Sequence, residues 1–228
     1  MIFDGHSDIF SDVRYKREAG ETQVLKNHHL DRLRKGGIGG ACFVIWADTY
    51  NGHAPKDEME AIVKGIKGEM AETKEFVLIH NVEELKAAEA AGKFAILLGI
   101  EGLAGIGEDL SKIDELYDLG ARHAMLTWNE ENALATGVKG DPNRGVTELG
   151  KQAIKKLQEK KMILDVSHIN EKSFWDVIDL ATGPILASHS NAKALASAAR
   201  NLTDDQLRAI RDTNGLVGLN AFGDFISD

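Results

Sequence analysis

The sequence predicts an α/β protein, a parallel sheet with helices outside it. Three observations carry this. Short apolar, β-rich runs recur along the 228 residues. Between them lie stretches with apolar residues at three- and four-residue spacing, the helical period. The two kinds alternate over nearly the whole chain, as βαβ crossovers demand. An open doubly wound sheet and a closed barrel both satisfy that alternation. No Gly-x-Gly-x-x-Gly follows the first strand, and no Walker pattern occurs, so dinucleotide and phosphate-loop folds lack their signatures.

The elements follow in order. Ile2 to Asp8 reads as a short buried strand ending in His6-Ser7-Asp8. Residues i and i+2 of a strand share a face, so His6 and Asp8 can point together. Gly40 to Ala47 is a buried strand announced by the glycines at 36–40. Met59, Ile62, Val63, Ile66 and Met70 make one face of a helix over 57–74. Phe76 to His80 is a short, peripheral strand. Asn81 with Glu84 three residues on reads as an N-cap and its reciprocal partner, opening a helix that stops at Gly92. Phe94 to Ile100 is the strongest strand. Leu110, Ile113, Leu116 and Tyr117 form a helix face closed by Gly120. Arg122 to Trp128 is a strand, and 129–144 a polar loop. Thr147 starts a helix with Leu149, Ala153, Ile154 and Leu157 inward. Met162 to Ser167 is a strand ending at His168, and Phe174, Val177, Ile178 and Ala181 mark the next helix. Ile185 to Ser188 leads to His189. Thr203 with Gln206 is a capping box, and Leu216 to Phe222 is the last strand.

Composition narrows the class. A net charge of −9 leaves nothing to neutralise phosphates, which argues against nucleic-acid or anionic-membrane partners. Cys42 is the only cysteine, so there is neither a disulfide framework nor a thiolate zinc site. No leader pattern opens the chain and no apolar run spans a bilayer, giving the expectation of a cytoplasmic protein. The residues leave the oligomeric state open, a homodimer being the association allowed for.

The ionisable residues are placed with a pattern. His6 with Asp8, Glu101, His168 and His189 all stand at C-terminal ends of strands. In an α/β barrel that rim holds the active site. One catalytic zinc takes three protein ligands, so five suit two ions with one carboxylate shared, and Glu101 is the natural bridge. Two such ions would acidify a bridging water and polarise the bond it attacks. The plain alternative for any one buried strand-end histidine is a hydrogen-bonded core residue. Glu101 between glycines resists it, because a buried carboxylate needs a partner or a metal. His28, His29, His53, His80 and His123 read as surface loop or helix-flank residues.

Six blocks complete the picture: Asp4-Gly5-His6-Ser7-Asp8, Gly99-Ile100-Glu101-Gly102, Leu126-Thr127-Trp128-Asn129, Asp165-Val166-Ser167-His168, Ser188-His189-Ser190 and Arg200-Asn201. In this order and over nearly the entire chain, the sequence resembles the membrane (renal) dipeptidase family, binuclear zinc dipeptidases with an amidohydrolase-like barrel. The resemblance implies a (β/α)8 TIM-like barrel of metal-dependent hydrolase type, one domain over 1–228. It implies two Zn2+, one on His6 and Asp8, one on His168 and His189, bridged by Glu101 and a water or hydroxide. It implies dipeptide substrates, with a D-residue tolerated at the C-terminal position. Arg200 matches the arginine that holds the substrate's carboxylate, for which a guanidinium fork is suited.

Two departures matter. Trp128 stands where the family usually has a substrate-contacting histidine; an indole N–H donates a hydrogen bond but exchanges no proton at neutral pH. With Phe76–His80 peripheral, the chain carries seven barrel strands, and the eighth βα unit with its catalytic aspartate is expected to be absent. Asp224 in Gly223-Asp224-Phe225 imitates that aspartate, but only one βα unit fits between His189 and Asp224, where two are needed. No catalytic proton carrier is therefore assigned. Two other readings stand beside the dipeptidase: another amidohydrolase-like amide or ester hydrolase, and a truncated, non-catalytic metal-binding homologue.

Overall fold

The computed structural model describes residues 1–47 and 52–227. The chain forms two compact units, Met1–Ile100 with Leu116–Arg122, and Glu101–Glu115 with His123–Asp228. In both, parallel strands alternate with helices.

In the first unit, β1 (Ile2–Ser7) pairs in parallel with β2 (Ile38–Trp46), in register Phe3↔Gly40 and Asp4↔Ala41. Beyond β2 comes β4 (Phe94–Glu101). The short β3 (Phe76–Leu78) pairs only with the first residues of β4, Phe76↔Phe94 to Leu78↔Ile96, and lies off the main strand path, as its peripheral reading requires. The strand reading of β1 holds, but its burial does not. Ile2 is 58% and Phe3 37% exposed, because β1 stands at the end of the strand order with a neighbour on one side only among the described residues.

Helices α1 (Ile9–Glu18) and α2 (Asp31–Lys35) escaped the sequence reading; α2 continues a π-helical turn over Leu25–Leu30. Few apolar residues mark α1, yet Phe10 and Val13 are fully buried. α3 (Pro55–Glu72) is the expected amphipathic helix, with Pro55 in its first turn, where its missing N–H costs nothing. α1 packs on α3. The Phe10 ring meets Phe43 edge-on at 5.5 Å, and Phe43 stacks on Phe94 at 5.5 Å. α4 (Val82–Ala90) begins at Asn81, whose side chain accepts from Glu84 N at 2.8 Å. The return bond differs from the expected box: Glu84 Oε2 accepts the backbone N–H of His80, one residue before the cap. Gly92, at φ +64°, closes the helix, as a left-handed terminal residue does.

In the second unit, β5 (Ala121–Met125), β6 (Ile163–Asp165), β7 (Ile185–Ala187) and β8 (Leu216–Val217) form a parallel run: His123↔Ile163, Leu164↔Ile185, Leu186↔Leu216. α5 (Lys112–Leu119) precedes β5. Helices α6 (Glu148–Glu159), α7 (Glu171–Leu180) and α8 (Asp204–Asp212) are capped by Thr147, Asn170 and Thr203. At α8 both halves of the capping box form. Leu157, Leu164, Phe174, Val177, Ile185 and Ile210 pack inside.

Several strands are shorter than expected, β3, β5, β6 and β8 among them. β5 stops at Met125 because Leu126 O turns to accept from Leu103 N. β8 stops at Val217 because Asn191 and Asn220 interlock: Asn220 N donates to Asn191 Oδ1, and Asn191 Nδ2 donates to Asn220 O. Leu219 and Phe222, taken as strand residues, are exposed. Asp224 falls in a 3-10 turn over Gly223–Phe225 after the last strand, in agreement with its reading as loop. Among the described residues no helix is long and apolar enough to cross a membrane.

Candidate metal centre

In the first unit, His6 ends β1 and Asp8 follows it as the residue capping α1. The two face one another, His6 Nε2 to Asp8 Oδ1 at 3.4 Å, with His6 largely buried and Asp8 half exposed. The pair meets as expected of His-x-Asp, but not by strand periodicity, since β1 ends at Ser7 and Asp8 stands at the start of α1.

The second unit gathers the other three. Glu101 ends β4, and the chain turns at once through Gly102, φ +80°. A Cβ on Gly102 would lie 2.8 Å from Trp128 N, so only glycine lets the two segments approach. His168 lies just beyond β6 at φ +74°, a conformation a non-glycine residue adopts rarely and chiefly at functional sites. His189 follows β7 by two residues.

These side chains converge. His168 Nε2 is 2.7 Å from Glu101 Oε1 and 2.7 Å from His189 Nε2; His189 Nε2 is 3.7 Å from Glu101 Oε1. All three residues are nearly or fully buried. Asn129 Oδ1 lies 2.9 Å from His168 Nδ1; in the neutral ring a proton on that nitrogen would leave Nε2 free to take a metal. Two ligands on a tetrahedral divalent ion at ~2.05 Å stand ~3.3 Å apart, within the observed range of separations. Two imidazole nitrogens and a carboxylate oxygen also match the nitrogen–oxygen donor set of such an ion. The residues fit a metal.

Arg200 lies beside this group. It is buried, at 7% relative exposure. Among the described residues its guanidinium makes only long bonds, Nη1 to Ser190 Oγ at 3.4 Å and Nη2 to His189 O at 3.3 Å, while Nε has no hydrogen-bond partner. The Phe225 ring lies 5.7 Å from it. Burial draws its pKa down to about 10, against the pull of Glu101 and Asp165, so it remains a cation at neutral pH. It borders a cavity of about 30 Å³ with His168, Lys193, Asn201 and Gln206, room for about one water. Trp128 places its ring 6.0 Å from that of His168, with Lys139 Nζ 5.8 Å from its centroid.

Behind the histidines is a pair that sequence reasoning missed. His123, read as a surface residue, is fully buried on β5, its Nε2 2.7 Å from Asp165 Oδ2. An Arg-flanked histidine looked exposed by composition, but the parallel register sets it opposite Ile163, facing inward to β6. Burial pushes the Asp165 carboxyl up; the hydrogen bond and charge of His123, the charge of His189 and the hydrogen bond of Ser188 outweigh it. The group is held far below the usual carboxylate range. Asn129 and Ser188, which touch the outer nitrogens of the two site histidines, were also unassigned. The available signal was adjacency: each lies within or beside a motif that carries a ligand candidate.

Comparison with known proteins shows the family. The profile of the membrane dipeptidase family (peptidase family M19) matches residues 1–228. A metallopeptidase from Rhodobacter sphaeroides, solved with a phosphinate mimic of the dipeptide L-Ala-D-Ala, superposes with a TM-score of 0.89 at 27% identity, over 99% of this chain and 75% of that one. Dipeptidase AC, a metallopeptidase of the same family, gives 0.88 at 27% identity over 98% and 74%. An uncharacterized protein of the PQQ-III 3' region of Acinetobacter calcoaceticus is 31% identical over 96% of this chain and 79% of its own. An uncharacterized dipeptidase of Schizosaccharomyces pombe is 29% identical, and this chain spans 60% of its length. The α/β barrel of TIM type read from the sequence is the fold of these metallopeptidases. By sequence profile and by its likeness to solved relatives, the chain belongs to the membrane dipeptidase family of metallopeptidases.

Proposed function

We propose that this chain is a zinc dipeptidase that hydrolyses the peptide bond of small dipeptides, including those with a D-residue at the C-terminal position. The observation that carries the proposal is the convergence of His168, His189 and Glu101 beside a buried cation, Arg200. The solved Rhodobacter relative holds a mimic of L-Ala-D-Ala, which supports that substrate class.

His168, His189 and Glu101 hold one ion in this reading; His6 and Asp8 supply ligands for a second, with Glu101 shared. When bound, the ions acidify a water and polarise the scissile carbonyl. The chain's own residues do the rest. Arg200 offers a buried fork for the substrate's free carboxylate, and burial strengthens that charge-assisted pair. Its long bonds to Ser190 and His189 O are weak enough to be exchanged for better ones. Trp128 walls the pocket beside His168 and offers an indole N–H in place of a titrating side chain. Asn129 keeps the His168 lone pair on Nε2. The same residues suit a cytoplasmic enzyme acting on free dipeptides.

The test pairs metal analysis with a substrate panel. Purified chain should take up two equivalents of zinc and release free amino acids from dipeptides. Amidating the C-terminal carboxylate should raise KM by about 10- to 100-fold, as should Arg200→Ala on the free dipeptide, since a lost charged hydrogen bond costs ~1.5–3 kcal/mol. Absence of metal uptake overturns the reading. Equal turnover of free and amidated dipeptides would instead favour a different amide or ester hydrolase.

A further inference from the structure

The His123–Asp165 pair has no place in the chemistry above, yet it stands directly behind it. Both side chains are fully buried, in contact at 2.7 Å. Burying an ionised carboxylate is costly unless its oxygens are satisfied, and Asp165 satisfies them in a particular way. Oδ1 accepts Ser167 N at 2.8 Å and Ser188 N at 3.2 Å, and Oδ2 accepts from His123. Ser167 immediately precedes His168, and Ser188 immediately precedes His189. One carboxylate therefore clamps the residues ahead of both histidines.

The clamp continues to the side chains. Ser188 Oγ is 2.9 Å from His189 Nδ1, and Ser167 Oγ accepts from His189 N at 3.3 Å. His168 is held at φ +74° immediately after the clamped Ser167. A tie of strands alone could be built from apolar residues at lower desolvation cost. A buried negative charge behind two imidazoles, with a donor held against it by His123, instead suits a group that orients ligands and favours cation binding in front of them.

We infer that His123 and Asp165 are positioning residues: Asp165, oriented by His123, holds the two turns that present His168 and His189, and so sets the affinity of that pair for a divalent ion. The inference rests on the metal-binding role proposed for those histidines.

The experiment measures the affinity of the full chain for Zn2+ alone, by competition with a chromophoric chelator, with folding monitored separately by circular dichroism. Asp165→Asn retains size and an acceptor but removes the charge; it should bind zinc about 10- to 100-fold more weakly than wild type, the range typical of groups that support metal ligands. His123→Leu should lose a comparable factor, whereas His123→Gln, which keeps an N–H donor, should stay within about threefold of wild type. Ser188→Ala, which keeps the backbone N–H that Asp165 accepts and removes only the hydroxyl beside His189 and Asp165, should cost about tenfold and decides the matter if Asp165→Asn fails to fold. Folded variants with wild-type affinity, or His123→Leu and His123→Gln behaving alike, would overturn the inference while leaving the proposed function standing. If wild type itself takes up no zinc, both fall together.

Discussion

Each unit buries a cluster of charge, and the two clusters are built on opposite plans. Between α1 and α3, Glu69 is fully buried and accepts from Leu25 N at 2.8 Å, Thr73 Oγ1 at 2.9 Å and Arg17 Nη1 at 3.1 Å. Arg17 reaches on to Glu72, and Arg14 meets Glu58 at 3.1 Å. Acids there face donors. In the second unit, Glu101, His168 and His189 turn their ligand atoms toward one another, and Arg200 makes only two long bonds. The first arrangement is complete in itself. The second turns several ligand-type atoms of two histidines and one carboxylate toward a single point, as a site prepared for a ligand does.

The comparison can be broken at its centre. Glu101→Gln removes the anionic ligand while keeping its shape, and zinc affinity and turnover should each fall by more than ~100-fold, a step beyond the loss expected for groups supporting the ligands. Its effect on stability should be small or favourable, since a buried charge is relieved. Glu69→Ala should do the reverse. Leaving the Leu25 N–H and the Thr73 hydroxyl without their acceptor should cost about 3 kcal/mol of stability, read by urea denaturation, with zinc affinity per folded molecule unchanged.

Acid sharpens the contrast. The Asp165 carboxyl is depressed in the folded chain, so its stabilisation is present above the unfolded value of ~3.9 and lost as pH falls below it. The stability difference between wild type and Asp165→Asn should be constant from about pH 5 to 8 and shrink on acidification below about pH 4. A gap unchanged at pH 3 would contradict that assignment. The smallest effect lies at a helix cap: Thr203→Ala, which removes half of the α8 capping box, should cost about 1 kcal/mol and leave zinc binding intact.

Local patterns were legible where the physics is local. The caps at Asn81, Thr147 and Thr203 were readable because a side-chain acceptor three residues from a helical N–H is a short-range arrangement. α1 was not legible, since its few apolar positions become a face only when α3 packs on them. The exposure of β1 and the early stop of β8 depend on neighbours remote in sequence: the strand order in one case, the Asn191–Asn220 interlock in the other.

The five ligand candidates could be named from the sequence, because ionisable residues at the ends of apolar strands occur at a rim and seldom elsewhere; Arg200 was named only through the family resemblance. Alternation of apolar runs with helical spacing likewise determined the parallel α/β class. What only the tertiary structure decided is which nitrogens face inward, and what holds them there. His123 looked like a surface histidine until the register of β5 against β6 set it on Asp165. Asp165 ties together turns more than twenty residues apart, Ser167 and Ser188. A chain read one residue at a time carries the chemistry of each side chain; its partners, and therefore its protonation and orientation, exist only after the strands have paired.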